Sequence, residues 1–131
     1  MSISLPNNEG VIVQTYGNAE FSRDAMRLFE GLRDELADNA DLLHPQMGTL
    51  AGAVRRSVES GDIGLSLRIC EFLGAVLANP KAISEIENAV AISFVEAHEL
   101  RATDVGRMLL ERMPDRVRSV LLEQERRGGA Q

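Results

Sequence analysis

The sequence predicts an all-α protein, an irregular antiparallel bundle of five or six helices, some of them stacked as helical hairpins. Apolar residues recur at helical spacing along most of the chain from residue 18 onward. Each such stretch is bounded by a recognisable start or stop signal, and the connections between stretches are only a few residues long. With 131 residues, 44% of them apolar, the chain is long enough to close one hydrophobic core without staples. The expected organisation is an irregular arm over residues 1–17, a single helical domain over 18–127 and a disordered tail over 128–131.

In the arm, Pro6, Gly10 and Gly17 punctuate the chain, and Val11-Ile12-Val13 is read as a short extended piece packed on helices. The first helix is expected from about Asn18 to Asp38, with Phe21, Ala25, Leu28, Phe29, Leu32 and Leu36 on one face. The second begins near Asp41, with Pro45 in its first turn, where the missing N–H costs nothing, and ends near Ser60. Leu43, Met47, Leu50, Ala51, Val54 and Val58 form its buried stripe. Gly48 and Gly52, one turn apart, are read as a place where a neighbouring helix comes close. Gly61 suits a left-handed stop and Asp62 caps the next helix.

The third helix, Ile63 to Leu77, is apolar on several sides and therefore central, and Asn79-Pro80 ends it. Ser84 and Glu87 match a capping box opening a fourth helix, whose Ile86, Val90, Phe94 and Ala97 point inward as far as Leu100. Thr103-Asp104 caps a fifth, Val105 to Met113, with Val105, Met108 and Leu109 inward. Pro114 restarts the chain as a sixth, with Val117, Val120 and Leu121 apolar and Arg126, Arg127, Gly128 and Gly129 closing it.

Several kinds of chemistry find no support in these residues. His44 and His98 are the only imidazoles, with no H-x-x-x-H or H-E-x-x-H spacing, so no metal site is expected. There is no Gly-x-Ser-x-Gly elbow, no phosphate-cradling glycine loop and no cofactor motif. Cys70, between Ile69 and Phe72, reads as a small core residue. No stretch has the roughly 18 apolar residues of a membrane span, and the amino terminus lacks a secretory pattern, so a cytoplasmic location is expected. Thirteen arginines against the single Lys81 hint at a GC-rich bacterial genome.

The net charge of −6 is uneven: residues 1–62 carry ten acids and five bases, residues 63–131 ten acids and nine bases. The carboxy-terminal arginines, Arg107, Arg112, Arg116, Arg118, Arg126 and Arg127, interleave with Glu111, Asp115, Glu123 and Glu125. They read as salt-bridged helix faces and not as a nucleic-acid contact. There remains the acidic run Glu30, Asp34, Glu35, Asp38 and Asp41, a negative surface suited to a basic protein partner.

Leu42-Leu43-His44-x-x-Met47-Gly48-x-Leu50-Ala51, Gly61-Asp62 and Asn88-Ala89-x-x-x-Ser93-Phe94-x-Glu96 resemble an uncharacterised bacterial all-helical family over roughly residues 20–100. Its members read L-H-x-x-M-G-x-L-A, then G-D, then N-A-x-x-V-S-(F/Y)-L-E. This chain departs from them at Pro45, Ile92 and Val95. The polar members His44, Asn88, Ser93 and Glu96 are read as a buried network fixing helix register, with His44 bonded to Asn88 or Glu96.

In size, charge and expected compartment the chain also resembles the immunity proteins of polymorphic toxin and contact-dependent growth inhibition systems. That resemblance implies a non-enzymatic inhibitor of a cognate toxin domain, often a basic nuclease, which meets carboxylates where phosphates would bind. The expected contacts are Glu30, Asp34, Glu35, Asp38 and Asp41, with neither nucleic acid nor membrane as partner and the oligomeric state open. Two other readings stand beside it: a helical adaptor or self-associating protein using the apolar excess of the last two helices, and an enzyme centred on His44, Asn88 and Glu96.

Overall fold

A computed structural model of the chain describes residues 15–129, and all secondary structure below refers to these. They form eight α-helices: α1 Asn18–Leu28, α2 Arg33–Asp38, α3 Leu43–Ser60, α4 Gly64–Ala78, α5 Ser84–Ser93, α6 Ala97–Arg101, α7 Asp104–Arg112 and α8 Asp115–Gly129. A 3-10 turn, Glu30–Leu32, links α1 to α2, and no strand occurs among the described residues. The fold is all-α, as the periodicity predicts. The expected extended piece Val11-Ile12-Val13 lies outside the described residues.

Helix α3 is the hub, packed against α1, α2, α4, α5 and α7. Its predicted stripe is buried: Met47, Leu50, Ala51 and Val54 are sealed from solvent, with Val58 partly so. Pro45 sits in its first turn, and Gly61, at φ 82°, ends it in the left-handed conformation that favours glycine. Asp62 Oδ1 then accepts the Gly64 N–H at 3.0 Å, and α4 folds back on α3. Buried Ser66 fastens the pair by donating to the Val54 carbonyl at 3.3 Å. Helix α8 closes the far side against α4, α5 and α6.

Tyr16 is tied to the α4–α5 connection by two backbone hydrogen bonds, its N–H to the Lys81 carbonyl at 2.8 Å and its carbonyl from Ile83 N–H at 3.0 Å. The chain just before α1 is thus packed on the helices.

Two predicted helices are each broken in two. The first stops at Phe29, whose φ −119° and ψ 73° are not helical, and resumes at Arg33. Gly31, a poor helix former, lies in the break. Phe29 turns inward to meet Phe72 edge-on, with ring centroids 5.8 Å apart, while Leu28, expected on the buried face, is turned outward and is 51% exposed. The fourth predicted helix stops at Ser93, and Phe94 is extended. The break buries both Phe94 and Val95, neighbours that one continuous helix would splay about 100° apart.

Three local expectations are corrected. Ser84 is the first helical residue of α5 behind Ile83, and it makes no capping hydrogen bond. The return bond of a capping box, from the N3 glutamate to the N-cap N–H, occurs elsewhere, Glu20 Oε1 accepting Gly17 N–H at 2.9 Å and Glu99 Oε1 accepting Glu96 N–H at 3.3 Å. Gly48 has no neighbour close to where a Cβ would stand, and Gly52 faces only the Arg56 guanidinium of its own helix. The close approaches are at Gly106, where a Cβ would run into the Leu100 carbonyl of α6, and at Gly74, where it would meet Pro114 at 2.8 Å. Finally, Met108 points outward and is 40% exposed, while Gly106, Leu109, Leu110 and Met113 take the inner positions of that segment.

Candidate protein-binding face

Helix α2 has one buried residue, Leu36, so a single apolar anchor holds it and every other side chain faces out. Asp34, Glu35 and Asp38 are exposed along it, and Asp41 is exposed on the turn into α3. None of these four carboxylates has an ion pair among the described residues. Glu30, on the preceding turn, reaches only Arg33, at 4.0 Å. Leu42 lies beside Asp41, 54% exposed, an apolar residue at the edge of the acidic surface.

A buried hydrogen-bond junction that sequence reasoning missed sets the position of this face. Gln46, fully buried on α3, donates through Nε2 to Ser22 Oγ at 2.8 Å and to the Leu36 carbonyl at 2.9 Å. Ser22 Oγ also accepts the Asp41 N–H at 3.3 Å. One amide therefore ties α1 and α2 to the hub helix, and through Ser22 the turn at Asp41. Asp41 itself has φ 64°, the left-handed region that Asp tolerates better than most residues. Gln46 occupies an unspecified position between His44 and Met47, and burial is the only signal that singles it out. Its Oε1 is buried with no hydrogen-bond donor among the described residues.

The four residues expected to form a buried polar network do not all meet. His44 Nδ1 lies 2.6 Å from Ser93 Oγ, joining α3 to α5, but His44 is exposed. Asn88 is exposed on α5, about 200° round the helix from buried Ile86, and does not join them. Glu96 is carried away by the break at Phe94: it becomes the N-cap of α6 and its carboxylate lies 3.4 Å from His98 Nδ1. No His44–Glu96–Asn88 constellation exists. Among the described residues no three His, Cys, Asp or Glu side chains are placed to hold a metal ion.

Several charges elsewhere are locally matched. Arg118 pairs with Asp115 at 2.6 Å, Arg127 with Glu123 at 3.1 Å, and Arg126 with the same Glu123. Arg107 pairs with Asp104, while Arg101–Glu125 ties α6 to α8 and Arg55–Glu99 ties α3 to α6. Of the interleaved set, Arg107, Arg118, Arg126 and Arg127 pair with acids of their own helices and Glu125 pairs with Arg101, while Arg112, Arg116 and Glu111 make no ion pair among the described residues. Asp24 accepts the Tyr16 hydroxyl at 2.8 Å and Arg23 Nε at 3.0 Å, with Arg27 at 3.2 Å. Burial opposes its charge, but these donors outweigh it and hold the carboxyl below its usual range. Glu99 is held low in the same way, burial being outweighed by Arg55. Burial pushes the Cys70 thiol up to about 12, consistent with its place in the core.

Fold and surface together define a small all-α protein with a run of exposed carboxylates on α2 and the Asp41 turn that make no ion pair among the described residues, and with locally paired charges along α6, α7 and α8. The chain belongs to the family described as Domain of unknown function (DUF7674), whose model matches residues 23–127, from α1 to near the end of α8. No curated protein and no solved structure matches the chain. No helix among the described residues is long and apolar enough to cross a membrane.

Proposed function

We propose that this protein is a non-enzymatic binding protein whose acidic face docks on a basic protein, and that the partner is a toxin domain, a nuclease by class, which it neutralises as an immunity protein. The observation that carries the reading is the contrast in pairing. Asp34, Glu35, Asp38 and Asp41 stand together and exposed with no ion pair among the described residues, while the acids of α8 are each held by an arginine of α6 or α8. Unpaired carboxylates project a field that speeds encounter with a basic surface and fixes its register. Leu42 supplies an apolar contact at the edge of the charges, the kind of anchor around which interface energy concentrates.

The test is the triple exchange Asp34→Lys, Glu35→Lys and Asp38→Lys. It is expected to slow association with the toxin domain and to abolish protection of cells, with the fold intact because all three side chains are exposed. Undiminished protection would remove this face from the interface. A second reading, a self-associating adaptor, is favoured by exposed Met108 on α7 and Leu122 on α8, each 40% accessible. Light scattering at several concentrations separates the two, since self-association makes the mass rise with concentration.

A further inference from the structure

The break between α1 and α2 faces the α3–α4 turn across an open groove of about 780 Å³, a volume within the range of small-ligand sites. Its floor is apolar, made by Phe29, Leu32, Ala53 and Leu65, and the outward-turned Leu28 stands at its lip. Arginines from three different helices line it: Arg27 of α1, Arg56 of α3 and Arg68 of α4. Arg56 and Arg68 have no ion pair among the described residues, and Arg27 shares Asp24 with Arg23. The two acids in the lining are turned to local partners, Glu30 to Arg33 at 4.0 Å and Asp62 to the Gly64 N–H at 3.0 Å. The lining thus carries three cations against two carboxylates in a chain of net charge −6, and Arg56 and Arg68 are the two of them without an ion pair among the described residues.

We infer that this groove binds a small amphiphilic phosphate monoester, with its aliphatic part on the Phe29–Leu65 floor and its head group at the unpaired guanidinium groups of Arg56 and Arg68. The guanidinium is a rigid fork that matches phosphate oxygens and is less tightly hydrated than an ammonium, which suits it to a partly apolar site. A free ligand fits better than a lipid headgroup in a bilayer. The acidic face on α2 directly follows the groove's Glu30–Leu32 turn in the chain, and an anionic membrane would repel it.

Titration calorimetry of the full chain with octyl phosphate tests this. Saturable one-to-one binding is expected, with octyltrimethylammonium and inorganic phosphate each weaker by about tenfold or more, since each lacks one half of the recognition. Arg56→Ala with Arg68→Ala, both exposed, is expected to weaken octyl phosphate by about tenfold or more at an unchanged melting temperature, the scale of losing hydrogen bonds to a charged group. The Asp34, Glu35 and Asp38 exchange is expected to leave this binding in place, so the groove and the acidic face stand or fall separately. Absence of saturation, equal binding of inorganic phosphate, or wild-type affinity in the double arginine variant would overturn the site. Sedimentation of the chain with anionic vesicles would overturn the choice of a free ligand.

Discussion

Gln46 does more to place the acidic surface than any of the carboxylates that compose it. Its amide bonds α1 at Ser22 and α2 at Leu36, and the same Ser22 hydroxyl holds the Asp41 turn. Replacing it with methionine keeps a similar volume but removes both donated hydrogen bonds, leaving the Leu36 carbonyl with only the Asn39 N–H and the Ser22 hydroxyl oxygen with only the Asp41 N–H. Gln46→Met is therefore expected to cost about 1–3 kcal/mol in urea unfolding, and to raise amide exchange across residues 33–41 before the rest of the molecule. Exchange rising equally everywhere would show that Gln46 supports the core and not this surface in particular. The carboxylates with partners make a prediction of opposite kind. Asp24 and Glu99 have lowered folded values, so their contribution is fully present above the unfolded carboxylate range of about 4 and is lost as pH falls through the lowered values. Stability should fall on acidification from about pH 5 to about pH 2, and Glu99→Gln should make that fall smaller. An unchanged fall would mean that the Arg55 pair contributes nothing measurable, as many exposed pairs do.

Among the helices, those carried by strong stripes are readable from the residues alone. In α3 and α4 the apolar residues are dense enough to set both face and ends, and the Gly61-Asp62 reversal has a local cause for each residue. The breaks at Phe29 and Phe94 are not readable, because helical spacing continues straight through both. Their cause is tertiary: Phe29 turns to Phe72, and Phe94 and Val95 are buried side by side. The same limit hides the candidate site. The acidic run is visible as composition, but its junction at Gln46 and its separation from His44, Asn88 and Glu96 depend on which faces meet. Glycine spacing misleads for a similar reason, since Gly48 and Gly52 fall on a side of α3 that no helix approaches. The contact that does require glycine is between α6 and α7. Gly106→Ala would drive a methyl into the Leu100 carbonyl, and backbone has little room to give. We expect a loss of about 3 kcal/mol or more, at the upper end of overpacking costs, whereas Gly48→Ala should be neutral or slightly stabilising. Paired thermal melts of the two variants check this, and equal melting temperatures would contradict the close packing of α6 on α7.

Over the whole molecule, charge is distributed in two ways that call for different explanations. Arg55–Glu99 and Arg101–Glu125 join separate helices, and the pairs along α7 and α8 neutralise their own surfaces. The carboxylates of α2 and the Asp41 turn do neither, and they contribute repulsion that the fold tolerates. An acidic surface of this kind has a use if a basic partner supplies the missing cations, and the proposed function rests on that imbalance. The most direct measurement is co-expression and affinity capture of the full chain with the protein encoded by the gene immediately upstream, in parallel for the wild type and for the Asp34→Lys, Glu35→Lys and Asp38→Lys variant. A stoichiometric complex that protects cells, forms more slowly as salt rises and is lost in the variant is the result the acidic face requires. A complex that the variant forms as well as the wild type would contradict it.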